Sequence, residues 1–549
     1  MPPEKKQIFA ELFGTRARKI LAIVLLVGLV FVVALSILAH HAEPMLRARV
    51  IETLSTRFQC RVDLDDLSVS VLQGLLVSGK GLRIYGQNDP NIHREGVQPL
   101  IGVDEFRFRA SVISLLQRPM RVGMVYIKGL ELNIPPKQDR LQFRSMGPKG
   151  GKIKIVVDRF HAEKAHLIIN TDRPDKLPLD FDIRDLHMQD IGPNQPMRFQ
   201  AILVNPKPVG NIDSKGEFGP FHPEDPRESP VRGEYTFSKA DLGTLKGIGG
   251  ILSSTGKYEG TLGRIVVDGQ TDTPDFRLNI SGRPVPLKTK FHAIVDGTTG
   301  DTYLQPVEAT IINTPLTATG FVIKKMNPPG HEIKLDVDIE KGKIDDLLRL
   351  AVRTDPAVMT GTVKLKTMLE MEPGDLDLSD RLYLKGNFRI TGVHFSNESI
   401  QSKVDSLSMR SQGKPELATD DIPDNVKSRM GGNFVLSKSL LHLPGIVFEM
   451  PGTKVDLEGQ YSLDGNDFDL HGKARFDAKL SQMVKGWKSI PLKAVDPFFR
   501  KNGTTEIPIK ITGTKSEPHF GLDLFHKDEE SDKPEAKKEP GAQARSKDR

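Results

Sequence analysis

The chain has almost no cysteine, and its hydrophobic content is low. Cys60 is the only cysteine among 549 residues, and hydrophobic residues make up 38% of the sequence. A single thiol cannot form a disulfide within the chain, so we expect Cys60 to be a small buried hydrophobic residue. The length predicts several domains or one elongated body. Glycine (49) and proline (38) are frequent, which favours short strands and turns over a helix bundle.

The long central part of the chain also lacks a concentration of positive charge. The formal charge is +6, and residues 1–19 hold five basic residues against two acidic ones, which places half of the excess there. The tail from Lys527 has seven residues of each sign. No basic stripe remains for nucleic acid, which we exclude as a partner.

Motifs of common enzymes are missing as well. The sequence has no Gly-x-Ser-x-Gly, no His-Glu-x-x-His and no phosphate-binding loop ending in Lys-Ser/Thr. Its 14 histidines are dispersed along the chain. We therefore predict no enzyme activity, no catalytic, cofactor-binding or metal-binding residue, and no cofactor. Three acidic pairs at strand spacing are predicted to lie on a solvated face rather than to bind calcium or transfer protons: Asp180/Asp182, Asp336/Asp338 and Asp467/Asp469.

One long apolar run stands near the start of the chain. Residues 20–39 form 20 consecutive positions without a charge, which matches a membrane-spanning helix. Basic residues dominate before the run, so the positive-inside rule predicts a cytoplasmic segment 1–19 and a periplasmic body. A cleaved signal peptide is the alternative, but its apolar region is usually shorter, about 7–15 residues. The chain is thus predicted to be a single-pass protein of the inner (cytoplasmic) membrane. His40 and His41 directly follow the apolar run and are predicted to lie at the membrane interface.

A short amphipathic helix is predicted just after this run, over Glu43 to Phe58. Its apolar positions Leu46, Val50 and Leu54 lie four apart, and Pro44 suits a first helical turn. The helix either covers the end of a sheet or lies on a lipid surface. We favour the covering role because the apolar stripe is narrow.

The body alternates apolar and polar residues, which predicts antiparallel strands with one dry and one wet face. The clearest runs begin at Val62, Phe106, Ile153, Leu179, Phe276, Ile333, Val455, Phe468 and Ile507.

Asp-Gly steps at Asp268-Gly269, Asp296-Gly297 and Asp464-Gly465 are predicted hairpin turns. A glycine followed by a polar residue and an aromatic one recurs irregularly and is interpreted as the start of a strand. The copies begin at Gly216, Gly233, Gly256, Gly386, Gly432 and Gly459.

Only two helices are predicted within the body. Ile344 to Arg353 carries Asp345 and Asp346 in its first turn, as the helix dipole favours, and Pro356 ends it. A weaker helix is expected over Glu398 to Gln412. The segment 526–549 lacks aromatic and β-branched residues and is predicted to be disordered.

Several segments together resemble the AsmA-like family of bacterial envelope proteins. They are the N-terminal run with the helix after it, VDLDDLSVSVLQGLLVSGKGLRIYG from Val62, the stretch between Val266 and Gly320, GVHFSNESIQSKVDSLSMRSQG from Gly392, and the part from PGTKVDLEGQYSL to WKSIPLKAVDPFFRKNG and beyond. The resemblance covers most of the body and is weakest over residues 130–230. It implies a non-enzymatic role in outer-membrane lipid homeostasis, related to bridge-like lipid transfer.

The predicted organisation is a cytoplasmic segment 1–19, a transmembrane helix 20–39, an AsmA-like N-terminal region 40–130, a β-rich middle region 131–340, an AsmA-like C-terminal region 341–525 and the tail 526–549. The fold class is mainly β, either an elongated antiparallel groove or stacked sandwiches with a few short helices.

Too few helices are predicted to cover so many amphipathic strands, so we expect the apolar faces to line a groove for phospholipid or another envelope lipid. Paired sandwich faces are the alternative. A scaffold acting on outer-membrane or periplasmic proteins is the alternative function. Trp487 and Phe498-Phe499 are predicted to close the last sheet rather than to touch lipid.

Overall fold

The computed structural model describes the larger part of the chain. The described residues are 44–45, 47–52, 54–55, 61–70, 75–85, 98–110, 120–135, 155–170, 177–192, 194–222, 225–326, 329–353, 355–374, 376, 378–418, 426–462, 467–514 and 518–523. The predicted membrane segment 20–39, His40, His41, Cys60, Asp464-Gly465 and the tail from 526 lie outside them. None of the described helices is long and apolar enough to cross a membrane.

The described residues divide into two compact units, and both are mainly β. The first comprises the described residues up to Ser396 together with Leu436–Lys438, and the second comprises Asn397–Val435 and the described residues from Ser439 onward.

The strands of the first unit are β1 (Val62–Asp63), β2 (Asp66–Ser70), β3 (Leu75–Ile84), β4 (Ile101–Ala110), β5 (Met120–Ile134), β6 (Ile155–Ile169), β7 (Leu179–Ile191), β8 (Met197–Pro206), β9 (Val209–Phe218), β10 (Pro230–Asp241), β11 (Ile248–Gly249), β12 (Ile251–Thr261), β13 (Arg264–Leu278), β14 (Val285–Val295), β15 (Thr302–Ile311), β16 (Thr314–Met326), β17 (Pro329–Lys343), β18 (Met359–Met371) and β19 (Leu382–Phe395). Its helices are α1 (Ile344–Ala351) and α2 (Leu378–Arg381).

Strands of the first unit follow one another across the sheet in nearly the order of the sequence. Each strand from β3 to β10 pairs with the next, β10 pairs with β12, and the succession continues from β12 to β19. These pairings are antiparallel except for β5 and β6, which run parallel. The antiparallel expectation is therefore wrong at this one junction. The 20 positions between Ile134 and Ile155 are long enough for the crossover that a parallel pair needs.

Helix α1 lies at one margin of this sheet and contacts β13, β17 and β18. Asp346 in its first turn is buried and accepts hydrogen bonds from the Thr314 hydroxyl at 2.8 Å and the Asn313 backbone NH at 3.1 Å. Arg353, just beyond the helix, donates to the carbonyl of Ile280 at 2.9 Å. The predicted helix is thus confirmed, although it ends at Ala351 rather than at Arg353. Several of the most buried apolar side chains of the unit lie at this margin: Val285, Ile311, Ile339, Val363 and Ile390.

The second unit contains most of β20 (Arg429–Ser437), with β21 (Leu440–Met450), β22 (Thr453–Ser462), β23 (Asp467–Phe476), β24 (Arg500–Lys501), β25 (Thr504–Thr514) and β26 (Pro518–Leu522). Its helices are α3 (Glu398–Ser411) and α4 (Ser489–Phe499). Helix α3 confirms the weaker prediction to within one residue. Leu407 of α3 packs on a buried cluster that includes Ala474, Phe476 and Met483, so this sheet has a covered core.

Two interpretations of glycine are wrong. Asp268-Gly269 is not a hairpin turn but lies inside β13, whereas Asp296-Gly297 does lie between β14 and β15. The recurring glycines lie within strands rather than marking their starts. Two of these glycines lie opposite an aromatic residue of the neighbouring strand, because Tyr258 is the register partner of Gly233, and Tyr235 is the partner of Gly256. A glycine here makes room for the aromatic ring of the neighbouring strand.

The predicted helix after residue 43 is helical wherever it is described between residues 44 and 55. The Arg47 Nε donates to the carbonyl oxygen of Leu64 at 2.7 Å. Leu64 and Val62 beside it are buried. The contact ties the helix to a residue between β1 and β2.

Candidate functional site

A continuous row of apolar residues and glycines crosses the sheet of the first unit. Each member is the register partner of the next on the neighbouring strand, so all lie on one face. We call this set the apolar row: Val77, Phe108, Val125, Phe160, Met188, Phe199, Gly216, Gly233, Tyr258, Val267, Ala293, Leu304, Gly320, Leu335, Leu369 and Leu384. Every strand from β3 to β19 except β11 contributes one residue to the row. At about 4.8 Å for each of its strand spacings, it is about 70 Å long.

The side chains of the apolar row are neither buried nor freely exposed. Ala293 is 2% exposed, but every other member has an intermediate exposure. In a closed sandwich, the inner faces of two sheets interdigitate and bury such residues almost completely. The first unit therefore presents a long apolar face that its own described residues cover only in part.

The opposite face of the same sheet is charged and internally paired. Lys215 bonds Glu234 at 2.8 Å, Lys366 bonds Asp338 at 2.7 Å, and Lys334 bonds Glu370. Salt bridges between such exposed side chains contribute little to stability, but their charges keep this face in contact with water. The sheet thus separates a wet side from an apolar side over its whole described width.

The three acidic pairs lie on wet faces, as the sequence predicts. Asp180 lies 2.9 Å from His166, Asp338 pairs with Lys366, and Asp469 lies 3.0 Å from His471. Asp182 and Asp336 are likewise not buried, and Asp467 is exposed. Each pair occupies alternate positions of one strand.

One polar group stands in the apolar row, the hydroxyl of Tyr258. It lies 2.9 Å from the hydroxyl of Ser214 on β9. Burial raises the pKa of Tyr258, and the hydrogen bond with Ser214 opposes that rise. The phenol is thus held neutral and bonded within the sheet.

A depression of about 640 Å³ lies on the wet face, over strands β8 to β14. Three lysines and three acidic residues line it, so its formal charges cancel. Two of the acidic residues already have basic partners: Glu234 pairs with Lys215, and Asp268 lies 2.8 Å from His292. The depression therefore has no net formal charge to attract an anionic or a cationic ligand, whereas the apolar face is suited to an acyl chain.

The histidines are not all dispersed. His161 on β6 and His187 on β7 are register partners, and their rings stack with centroids 4.1 Å apart. Both contact Asp185, with His161 Nε2 at 2.7 Å from Oδ1 and His187 Nε2 at 3.0 Å from Oδ2. Sequence reasoning missed this group. The available signal was a His-x-Glu at His161 and an Asp-x-His at Asp185 in two successive strand segments.

One of the aromatic residues predicted to close the last sheet, Phe498, differs from the prediction. The side chain of Phe498 on α4 is 81% exposed, and that of Ile490 on the same helix is 65% exposed. Phe498 therefore does not close the last sheet. Helix α4 itself was missed, because Pro497 inside it is unusual for a helix interior.

No protein-family model and no curated protein matches this chain.

Proposed function

We propose that the chain is a non-enzymatic protein of the bacterial inner membrane whose body holds or passes phospholipid in the periplasm and so maintains the outer membrane. The observation that carries the proposal is the partly exposed apolar row on one face of a sheet whose other face is charged. The apolar run at residues 20–39, with basic residues before it, supports the location. The resemblance to AsmA-like proteins supports the same role.

Acyl chains suit this face by size and by energy. One leaflet of a bilayer core is about 15 Å thick, half of the usual 30 Å, so a row of about 70 Å could hold several acyl chains in succession. Each methylene removed from water contributes about 0.8 kcal/mol. The row has no charged member to oppose entry of an apolar chain.

Site-specific photocrosslinking tests the proposal without altering the fold extensively. In separate variants, a photoreactive phenylalanine analogue replaces Phe291, Leu335 or Phe388 on the apolar side. The matched control variants carry it at the neighbouring residue on the wet side: Lys290, Asp336 or Asn387. After irradiation of intact cells, mass spectrometry of the purified full-length chain identifies adducts. We expect phospholipid adducts at the first three positions and none at their neighbours, because adjacent residues of a strand point to opposite faces.

Equal labelling of both faces would contradict the proposal, since it would report random contact with membrane. Protein adducts alone at Phe291, Leu335 and Phe388 would show that another protein covers the apolar face.

A second candidate function is a scaffold for assembly of outer-membrane proteins. It is favoured by one observation, the exposed apolar side chains of Ile490 and Phe498 on α4. Large exposed apolar side chains on one helix are typical of protein contact sites. The same photoreactive residue at Phe498 would capture a protein if this function holds.

A further inference from the structure

A group of histidine and acidic side chains lies on the wet face where β6 meets β7. One ligand atom from each of His161, Asp185 and His187 lies within 4.8 Å of the other two. Glu163 stands beside them, with its Oε1 3.5 Å from His161 Nε2 and its Oε2 accepting a hydrogen bond from the Tyr126 hydroxyl at 3.0 Å. Two imidazoles and a carboxylate therefore converge on one small volume.

The strand register produces this convergence. His161 is opposite His187 and Glu163 is opposite Asp185 in the antiparallel β6–β7 pair. Residues two apart on a strand share a face, so all four side chains stand on the same side of the sheet. The backbone of two paired strands holds them there, which makes the arrangement largely preformed.

The group differs from the other histidine–carboxylate contacts of the first unit. Among the described residues, His292 lies beside Asp268 and His166 lies beside Asp180, and neither has a second imidazole beside it. At His161 and His187, two stacked rings share the two oxygens of one carboxylate.

We infer that His161, Asp185 and His187 bind a divalent transition-metal ion such as Zn²⁺. Imidazole and carboxylate are ligands that Zn²⁺ accepts in tetrahedral geometry, with bonds of about 2.0–2.2 Å. Those bonds place ligand atoms roughly 3.3 Å apart. In the structure the two Nε2 atoms lie 2.7 Å and 3.0 Å from different oxygens of Asp185, and one ligand atom from each residue lies within 4.8 Å of the others, so a side chain must rotate to close the set around one ion. His187 is half exposed, and rotation of its side chain supplies this adjustment.

Glu163 orients His161 or completes the fourth position, since it is held by Tyr126 on the same face. The bound ion links β6 to β7 beside the parallel β5–β6 junction. This inference is independent of the lipid function, because the site lies on the face opposite the apolar row.

Zinc binding to the full-length chain tests the inference. The protein is purified in detergent without a polyhistidine tag, stripped of metal with a chelator, dialysed and titrated with Zn²⁺ alone by calorimetry. We expect one tightly bound Zn²⁺ per wild-type chain. His187→Gln should weaken binding at least about tenfold, and the double variant His161→Gln/His187→Gln should weaken it by about a hundredfold or more. His292→Gln is the matched control and should bind as wild type does.

Zinc affinity that is unchanged in the double variant, or wild-type protein that binds no Zn²⁺, would overturn the inference. Asp185→Asn provides a near-isosteric second variant if the double variant does not fold, as judged by circular dichroism. Co²⁺ in the wild-type chain gives a readout that needs no variant. The strong visible absorption of tetrahedral Co²⁺ supports the site, and the weak spectrum of the hydrated ion contradicts it.

Discussion

At the scale of single residues, glycines of the first unit set how closely aromatic rings lie over the neighbouring strand. A Cβ added at Gly256 would lie 2.8 Å from Tyr235 Cε1 and 2.6 Å from the carbonyl oxygen of Asp268. A Cβ at Gly233 would lie 2.6 Å from the Tyr258 hydroxyl oxygen. The rings occupy the space that the missing side chains leave. This keeps aromatic surface on the apolar face without a gap between strands.

Gly256→Ala should therefore destabilise the sheet by about 1–3 kcal/mol, because its new methyl group must displace backbone as well as a ring. Gly123→Ala is the control, since a Cβ there meets only the carbonyl oxygen of Arg109, at 3.6 Å. An alanine in a strand interior should be neutral or stabilising at that position. Hydrogen exchange of the amides in β10 and β12 measures the first effect, and that of β4 and β5 the second. If Gly256→Ala lowers the protection of its strands no more than Gly123→Ala lowers that of β4 and β5, this explanation of the glycines is contradicted.

His471 gives the second unit a dependence on pH. It lies 2.6 Å from Asp523 and 3.0 Å from Asp469, and its cross-strand partners are Glu458 and Lys510. The hydrogen bond with Asp523 raises the pKa of His471, and burial opposes the rise. The folded chain thus holds this proton more tightly than the unfolded chain does.

The protonated histidine should stabilise the unit fully below its ordinary pKa of about 6.5, and this contribution should disappear as the pH rises through the raised pKa. Local hydrogen exchange in β23 and β25, corrected for the intrinsic pH dependence of exchange, measures it in wild type and in His471→Gln. We expect the difference between the two proteins to shrink from about pH 5 to about pH 9. A difference that stays constant over this range would show that the histidine carries no extra proton.

At the scale of elements, strand β18 passes from a buried margin to the apolar face. Val363, near its beginning, is 1% exposed, whereas Leu369, three alternate positions further on, is half-buried on the same face. The two residues report whether the apolar face is packed against protein.

Val363→Ala should cost about 2–3 kcal/mol because it leaves a cavity in a closed region. Leu369→Ala should cost only about 1 kcal/mol although it removes more carbon atoms, because its side chain is partly in contact with solvent already. Hydrogen exchange of the β18 amides gives both free energies of local opening. An equal or larger cost for Leu369→Ala would indicate that another layer covers the face, as in a sandwich.

Alternation of apolar and polar residues was sufficient to predict the strands and their two faces. Every described run that the sequence marked as a strand begins in or leads into one, including those at Leu179, Ile333 and Val455. Alternation cannot distinguish a turn glycine from one inside a strand, which is why Asp268-Gly269 was misplaced. It also contains no information about the direction of a neighbour, so the parallel β5–β6 pair could not be foreseen.

At the scale of the whole chain, the candidate site is a property of register and not of any motif. The sequence shows that many residues are apolar on one side, but it does not show that Phe108, Val125 and Phe160 are successive partners. The same applies to His161 and His187, which are 26 positions apart in the sequence and directly opposite in the sheet. Long-range pairing brings both groups together, and composition or spacing alone cannot reveal it.

The lipid content of the isolated body tests the central claim most directly. Residues 44–549, directed to the periplasm by a cleaved signal peptide and purified without detergent, are measured by native mass spectrometry. The account predicts a chain with bound phospholipid, which dissociates on activation to leave the mass of the protein alone. A folded body that carries no lipid, and takes none from phospholipid vesicles, would contradict it.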